Sequence, residues 1–274
     1  MEKNEFSPDL PVAEADPGLS GWDDPLASLR RALDQDELQI YCQPILSLQP
    51  GQGKKYPLAE VLVRLREEEE SLLPPGDFLP VFEHYRMMTD LDCWVVRKTA
   101  EWIAEARPNS IGSYSVNVSS QSLEDLRLPD FAADILKKCG VGPARLCVEI
   151  DEVDTLQRAR AAERFAKAMH AIGCKVIIDG FARRSVSFGA LKAIQPDYVK
   201  VDGAVIRKIS SSSVAQLKLK AISRVCSVAG IGIIAECVEE QRVVVELTEM
   251  SVGYAQGFGI AVPQPIAVGG IAPD

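Results

Sequence analysis

Residues 145–180 read RLCVEIDEVDTLQRARAAERFAKAMHAIGCKVIIDG. The stretch opens on an apolar run at 145–150 and closes on another at 175–178, both of strand length and both containing β-branched residues. Between them, 153–172 has the length and apolar spacing of a helix. Strand, helix, strand in that order is the building unit of a parallel α/β sheet. Outward from this unit the alternation repeats, with strand runs at 38–45, 57–65 and 113–118 on one side and at 198–201, 232–235 and 254–260 on the other. Segments of helical length fill the intervals, 214–229 among them. Eight strand runs alternating with helices imply an α/β fold, a TIM-like (β/α)8 barrel in a single domain. A doubly wound open sheet is the alternative, because periodicity does not show closure.

At 274 residues the chain has the size of one large α/β domain. Residues 1–22 are rich in Pro, Asp, Glu and Gly without apolar periodicity and read as a disordered tail or linker. The barrel domain is expected over 23–266, opened by Leu26, Leu29 and Leu33 at helical spacing, with a short tail at 267–274. Hydrophobic residues make up 47% and charged residues 25%, which is ordinary for a folded protein. The net charge of -9 argues against nucleic acid as the main partner, and an anionic ligand needs local arginines or metal ions. The seven cysteines form no CxxC pair and lie mostly in apolar runs, so they read as reduced core thiols. No apolar run approaches the roughly 20 residues of a membrane span. The acidic start, Met1-Glu2-Lys3-Asn4-Glu5, is not a signal peptide. A cytoplasmic location is expected.

Each strand run carries at or near its end a polar residue that a purely structural strand does not need: Gln43, Glu60, Asn117, Glu149, Asp179, Lys200 with Asp202, Glu236 and Gln256. Barrel enzymes build their sites at the C-terminal mouth from such residues. Taken singly, each has a bland reading, Asn117 as a helix cap and Glu236 as a solvated acid. Together, four acids and an amide on one rim repel each other and call for a cation. Oxygen ligands suit a hard ion such as Mg²⁺, Mn²⁺ or Ca²⁺, and the only histidines, His84 and His170, form no zinc cluster. A divalent metal and a phosphate-bearing substrate form the natural pairing. The acidic run Glu67-Glu68-Glu69-Glu70 reads as a solvated turn, Ser210 to Ser213 as a loop before a helix, and Met87-Met88 as packing residues.

The motifs also match a known family in order. Ala59-Glu60-Val61-Leu62-Val63-Arg64 resembles the Glu-x-Leu-x-Arg signature of the EAL domain, a module that binds the bacterial messenger cyclic di-GMP, with Val61 where Ala usually stands. The resemblance continues through Tyr41-Cys42-Gln43-Pro44-Ile45, Pro75-Gly76-Asp77-Phe78-Leu79-Pro80, Val116-Asn117-Val118-Ser119 and Glu149-Ile150-Asp151-Glu152. It ends with Val199-Lys200-Val201-Asp202, Ala235-Glu236-Cys237-Val238-Glu239, Gln256-Gly257-Phe258 and Pro263-Gln264-Pro265. It covers residues 26–266. So many motifs in order are far more specific than one tripeptide. The resemblance implies that Glu60, Asn117, Glu149 and Asp179 are metal ligands for Mg²⁺ or Mn²⁺. It implies that Lys200 stands near the attacking water and that Glu236 is the general base. Gln43, Leu62, Arg64 and Gln256 then join Glu60, Asn117, Asp179 and Glu236 around the nucleotide, with Arg64 on its phosphate.

The match fails in one loop. Active members read Asp-Asp-Phe-Gly-Thr-Gly where this chain reads Asp179-Gly180-Phe181-Ala182-Arg183-Arg184. The second aspartate, a ligand of the second metal in the family, is Gly180, and both loop glycines are replaced. Hydrolysis is expected to be lost or very weak, since a missing carboxylate weakens the second metal site. Arg183 and Arg184 are either solvated loop charges or a replacement for the missing positive charge. The expected function is a cyclic di-GMP receptor that signals to a protein partner, with Mg²⁺ or Mn²⁺ if any metal at all. An active phosphodiesterase is the alternative, and an interaction module without nucleotide is a weaker one.

Overall fold

Asp24 caps the first helix, α1 (Pro25–Asp34), by accepting a hydrogen bond from the Ala27 backbone amide, and Pro25 fits the first turn because its missing N–H has no partner there anyway. The protein is seen here in a computed structural model that describes residues 24–49, 51, 54–66, 72–73, 75–105, 111–184 and 186–266. The expected tails at 1–22 and 267–274 and the acidic run at 67–70 lie outside the described residues.

The strands are β1 (Leu38–Ser47), β2 (Leu58–Arg66), β3 (Leu72–Leu73), β4 (Ser113–Val118), β5 (Leu146–Asp151), β6 (Lys175–Phe181), β7 (Tyr198–Val201), β8 (Gly232–Ala235), β9 (Tyr254–Ala255) and β10 (Gln264–Pro265). The helices after α1 are α2 (Pro75–His84), α3 (Met88–Glu105), α4 (Ser120–Glu124), α5 (Arg127–Cys139), α6 (Glu152–Gln157), α7 (Ala159–Ala171), α8 (Phe188–Ile194), α9 (Gly203–Ile206), α10 (Ser213–Ala229) and α11 (Gln241–Glu249). Pairing runs β1-β9-β8-β7-β6-β5-β4-β2 and closes through β1–β2, which makes the expected eight-strand barrel. The short β3 and β10 pair with β2 and β1 outside this ring.

Three expectations from the sequence need correction. β1 runs antiparallel to both β2 and β9, so the barrel is not uniformly parallel. The link between β1 and β2 is too short for a helical crossover, and a short link can only join antiparallel neighbours. The last strand stops at Ala255, because the backbone from Gly257 onward turns to pack on Val238 and Glu239, with the Gly259 amide donating to Val238. The helical stretch at 153–172 is two helices, broken at Arg158, whose guanidinium is held by Glu124 and Asp154.

Period-two alternation sorts each strand. Outward residues such as Val148, Ile150, Val176 and Ile178 pack under the helices in the main core. Inward, a separate apolar layer of Ile45, Leu58, Cys147, Ile177 and Ile234, with Tyr198 and Tyr254, plugs the barrel. The plug keeps water from reaching the mouth from below and fixes the height at which the next inward residues stand. α10 is bounded by Ser212 as its N-cap and by Gly230 in the left-handed conformation at its end.

Candidate functional site

The candidate residues stand one pleat above the apolar plug. Glu60, Glu149, Asp179, Lys200, Glu236 and Gln256 each follow a plug residue by two positions, which returns the side chain to the inner face. β1 runs the other way, so Gln43 precedes Ile45 by two. Hydrogen bonds join the set. Gln256 donates to Gln43 (3.1 Å) and to Glu60 (2.7 Å), and Asn117 donates to the other Glu60 oxygen at 2.8 Å.

Lys200 is the hub. Its ammonium is buried, 2.8 Å from Glu60, 2.8 Å from Glu149, 3.6 Å from Asp179 and 3.7 Å from Glu236. Burial pushes its pKa down, but the four surrounding carboxylates hold it well above the ordinary lysine value. Burial pushes the Glu60 carboxyl up, yet the charge and hydrogen bond of Lys200, with those of Gln256 and Asn117, leave it below its ordinary value. Glu149 is pushed up to about 8, by burial first and then by the charge of Glu60. Glu236 is also pushed up to about 8, again by burial first. One ammonium cannot balance four carboxylates, so two of them give way. Ser115, inward-facing two residues before Asn117, donates a short hydrogen bond to Glu149.

The loop after β6 is organised around Arg183. Gly180 has φ +62°, and a Cβ there would lie 2.9 Å from the Arg183 Cζ. The guanidinium therefore occupies the space into which a side chain at position 180 would project. It is held at 2.7 Å from Asp202 and 3.3 Å from Asp151, which raise its pKa. Arg183 thus ties the ends of β5, β6 and β7 together, while Arg184 is exposed. Ala182 is buried with φ +69°, a conformation that suits glycine better. It is pinned there: its amide donates to both Glu152 oxygens at 3.1 Å, and its carbonyl accepts from Lys218 of α10.

Two expected ligand residues lie beyond the hub. Leu62 lines a cavity of about 380 Å³ with Asn117, Leu79, Met88 and Asp92, beside the mouth. Arg64, about 13 Å along β2 from Glu60 at ordinary strand rise, stacks on Tyr41 and donates to the Val63 carbonyl. Sequence reasoning passed over Asp92, Ser115 and Lys218. Asp92, buried in α3, accepts from the Ser119 amide and from the hydroxyls of Ser119 and Ser122. It thereby holds the start of α4 just past Asn117, and Ser119 rather than Asn117 is the α4 N-cap. An acid on the apolar face of a helix was its signal.

The oxygen donors fit one hard cation better than two. Asp179 Oδ1 is buried without a hydrogen-bond partner, 3.6 Å from the same Lys200 ammonium that holds Glu60 and Glu149. Position 180 offers no second carboxylate, and Arg183 fills its place. Among the described residues no three His, Cys, Asp or Glu side chains group closely enough to hold a metal ion as they stand, since Lys200 sits between the acids.

A closed barrel with acids, amides and one buried lysine on its C-terminal rim defines an α/β-barrel protein with its site at the mouth. The family model described as EAL domain matches residues 26–263, and the chain belongs to that family. Its curated relatives include the cyclic di-GMP phosphodiesterase PdeB of Shewanella oneidensis, 29% identical over 240 residues and 87% of this chain. PdeF of Escherichia coli K12, also named a cyclic di-GMP phosphodiesterase, is 28% identical over 87% of this chain. The chain spans only 28% and 31% of those two proteins. The FimX EAL domain from Pseudomonas aeruginosa bound to c-di-GMP superposes with TM-score 0.81 at 25% identity, covering 89% of this chain and 98% of that one. The Xanthomonas citri FimX EAL domain in complex with c-di-GMP gives TM-score 0.79 at 26% identity, covering 88% and 93%. Among the described residues no helix is long and apolar enough to cross a membrane.

Proposed function

We propose that this domain binds cyclic di-GMP at the barrel mouth and has lost all or most of its hydrolytic activity, acting as a receptor that passes the signal to a protein partner. The observation that carries this reading is the Arg183 guanidinium standing over Gly180, where the active pattern has an aspartate. A fixed cation there repels a second metal ion, and cleavage of a phosphodiester draws on two metals to hold the attacking and leaving oxygens. Binding asks for less. Arg64 supplies a fork of donors for a phosphate, Gln43 and Gln256 face the mouth, and the apolar cavity beside Leu62 has room for a nucleobase.

Where a single Mg²⁺ or Mn²⁺ binds, Glu60, Asn117, Glu149 and Asp179 would hold it. Such an ion supplies a Lewis acid and a more acidic bound water. Lys200 and Glu236 would be the groups that position and deprotonate that water. The free cysteines, most of them buried, are in keeping with a cytoplasmic setting. The second reading, an active phosphodiesterase, draws on the names of PdeB and PdeF.

The test has two arms. Cyclic di-GMP incubated with the protein and Mn²⁺ should yield little or no linear dinucleotide. In a binding titration, Arg64→Ala should weaken affinity by about 1.5–3 kcal/mol, the range for a charge-assisted hydrogen bond. Brisk turnover sinks the receptor reading, and an unchanged affinity removes Arg64 from the site.

A further inference from the structure

Arg183 has hydrogen-bond donors to spare. A guanidinium carries five N–H groups in one plane. The Nε of Arg183 donates to Asp202 at 2.7 Å and its Nη1 to Asp151 at 3.3 Å. Its Nη2 has no acceptor among the described residues, and it is the atom nearest to where a Cβ at Gly180 would stand. The two tethers fix the plane, so the open corner is held in place. The side chain is 44% exposed, which leaves that corner within reach of a ligand.

Both tethers carry a second load. Asp151 caps α6 by accepting from the Val153 amide at 2.7 Å, and Asp202 caps α9 by accepting from the Ala204 amide at 2.7 Å. Backbone amides at a helix start answer part of a carboxylate's charge. The guanidinium therefore keeps part of its own charge for a third partner. The other cations of the site are placed differently. Lys200 is buried and enclosed by four carboxylates. Arg64 stands on β2, three strands around the ring from β6, so the two arginines lie on different sides of the mouth. A cyclic dinucleotide has two phosphodiester groups on opposite sides of its ring, each with one negative charge. Arg64 answers only one of them.

We infer that Arg183 binds the second phosphate of cyclic di-GMP through its Nη2 donors, as a built-in cation over Gly180, where the active pattern places a metal-binding carboxylate. The inference rests on the reading of the mouth as a cyclic di-GMP site, and it names the group that makes metal dispensable there. The competing role is a strap: Arg183 ties the ends of β5, β6 and β7 together and touches no ligand. A strap matters through its acids as much as through its arginine, whereas a phosphate contact needs the arginine and is opposed by the acids.

The test is calorimetric titration of cyclic di-GMP into the full chain in excess chelator. Arg183→Ala weakens binding at least about tenfold, the loss of one charge-assisted contact, while its thermal melt stays well above the assay temperature. Arg183→Lys recovers part of the loss. Arg184→Ala, which removes the neighbouring loop charge, leaves the affinity as it is. Asp151→Asn keeps a good cap on α6 and the Asp202 tether, removes one competing negative charge, and binds at least as tightly as the wild type. The inference is overturned by wild-type affinity in Arg183→Ala, or by an equal loss in Arg184→Ala, which would make the effect one of general loop charge. It is also overturned by a loss in Asp151→Asn that matches Arg183→Ala, which would make Arg183 a strap. If the wild type binds no nucleotide, the proposed function falls and this inference with it; if the wild type binds and Arg183 makes no difference, this inference alone falls.

Discussion

Gly180→Asp restores the carboxylate that the active pattern carries, yet the structure predicts that it does little alone. A Cβ at this position meets the Arg183 guanidinium, 2.9 Å from Cζ, on a backbone with φ +62°. The left-handed conformation costs an ordinary residue about 1–2 kcal/mol, and less for Asp, which tolerates it. Displacing Arg183 breaks its ion pairs with Asp151 and Asp202. Arg183 is 44% exposed, so solvent screening holds each pair to about 0–1 kcal/mol. The single variant should therefore lose about 1–3 kcal/mol, or about 2–4 °C of Tm per kcal/mol for a domain of this size. Arg183→Thr, the residue of the active pattern, removes the obstruction. The double variant should be more stable than the sum of the single effects by about 0.5–3 kcal/mol, and should cleave cyclic di-GMP in Mn²⁺ faster than Gly180→Asp alone. Ala182→Gly, which relieves φ +69°, should add to the recovery. Urea unfolding of the four species gives the coupling, and chromatography of the linear dinucleotide gives the activity. Strictly additive stabilities, or full activity from Gly180→Asp by itself, would refute the reasoning.

Lys200→Met should leave Glu60 and Glu149 buried without their common cation and cost about 3–5 kcal/mol; adding Mg²⁺ or Mn²⁺ should stabilise the variant more than the wild type, as thermal melts with and without chelator would show. The Asp92 carboxyl is pushed up to about 6 by burial, against three hydrogen bonds from Ser119 and Ser122. The folded state then keeps a proton that the unfolded chain has lost, so this contribution to stability is full below about pH 4 and is lost as pH rises through about 6, at most about 3 kcal/mol. Asp92→Asn should flatten that slope in urea midpoints taken across the range; an unchanged slope would assign it elsewhere.

Much of the barrel was legible because plug and site share one strand face. A polar residue two places after an inward apolar one, as in Cys147 and Glu149 or Ile234 and Glu236, marks both the strand and its functional end. The direction of β1 was not legible, because alternation looks the same read either way. Lys200 was expected near an attacking water and not as the hub, since the convergence of four carboxylates on one ammonium depends on barrel closure. Of the two new arginines, sequence could not tell which would act. Asp151 and Asp202, at the strand ends on either side of β6, select Arg183 and leave Arg184 to solvent. The cysteines were read as core thiols, which fits Cys42, Cys147, Cys174 and Cys226 but not the exposed Cys237.

The central claim, a nucleotide site that no longer needs its metals, is tested most directly by calorimetric titration of cyclic di-GMP into the wild-type protein, once in excess chelator and once in Mg²⁺. The account predicts the same affinity in both. Binding that appears only with Mg²⁺ would contradict it.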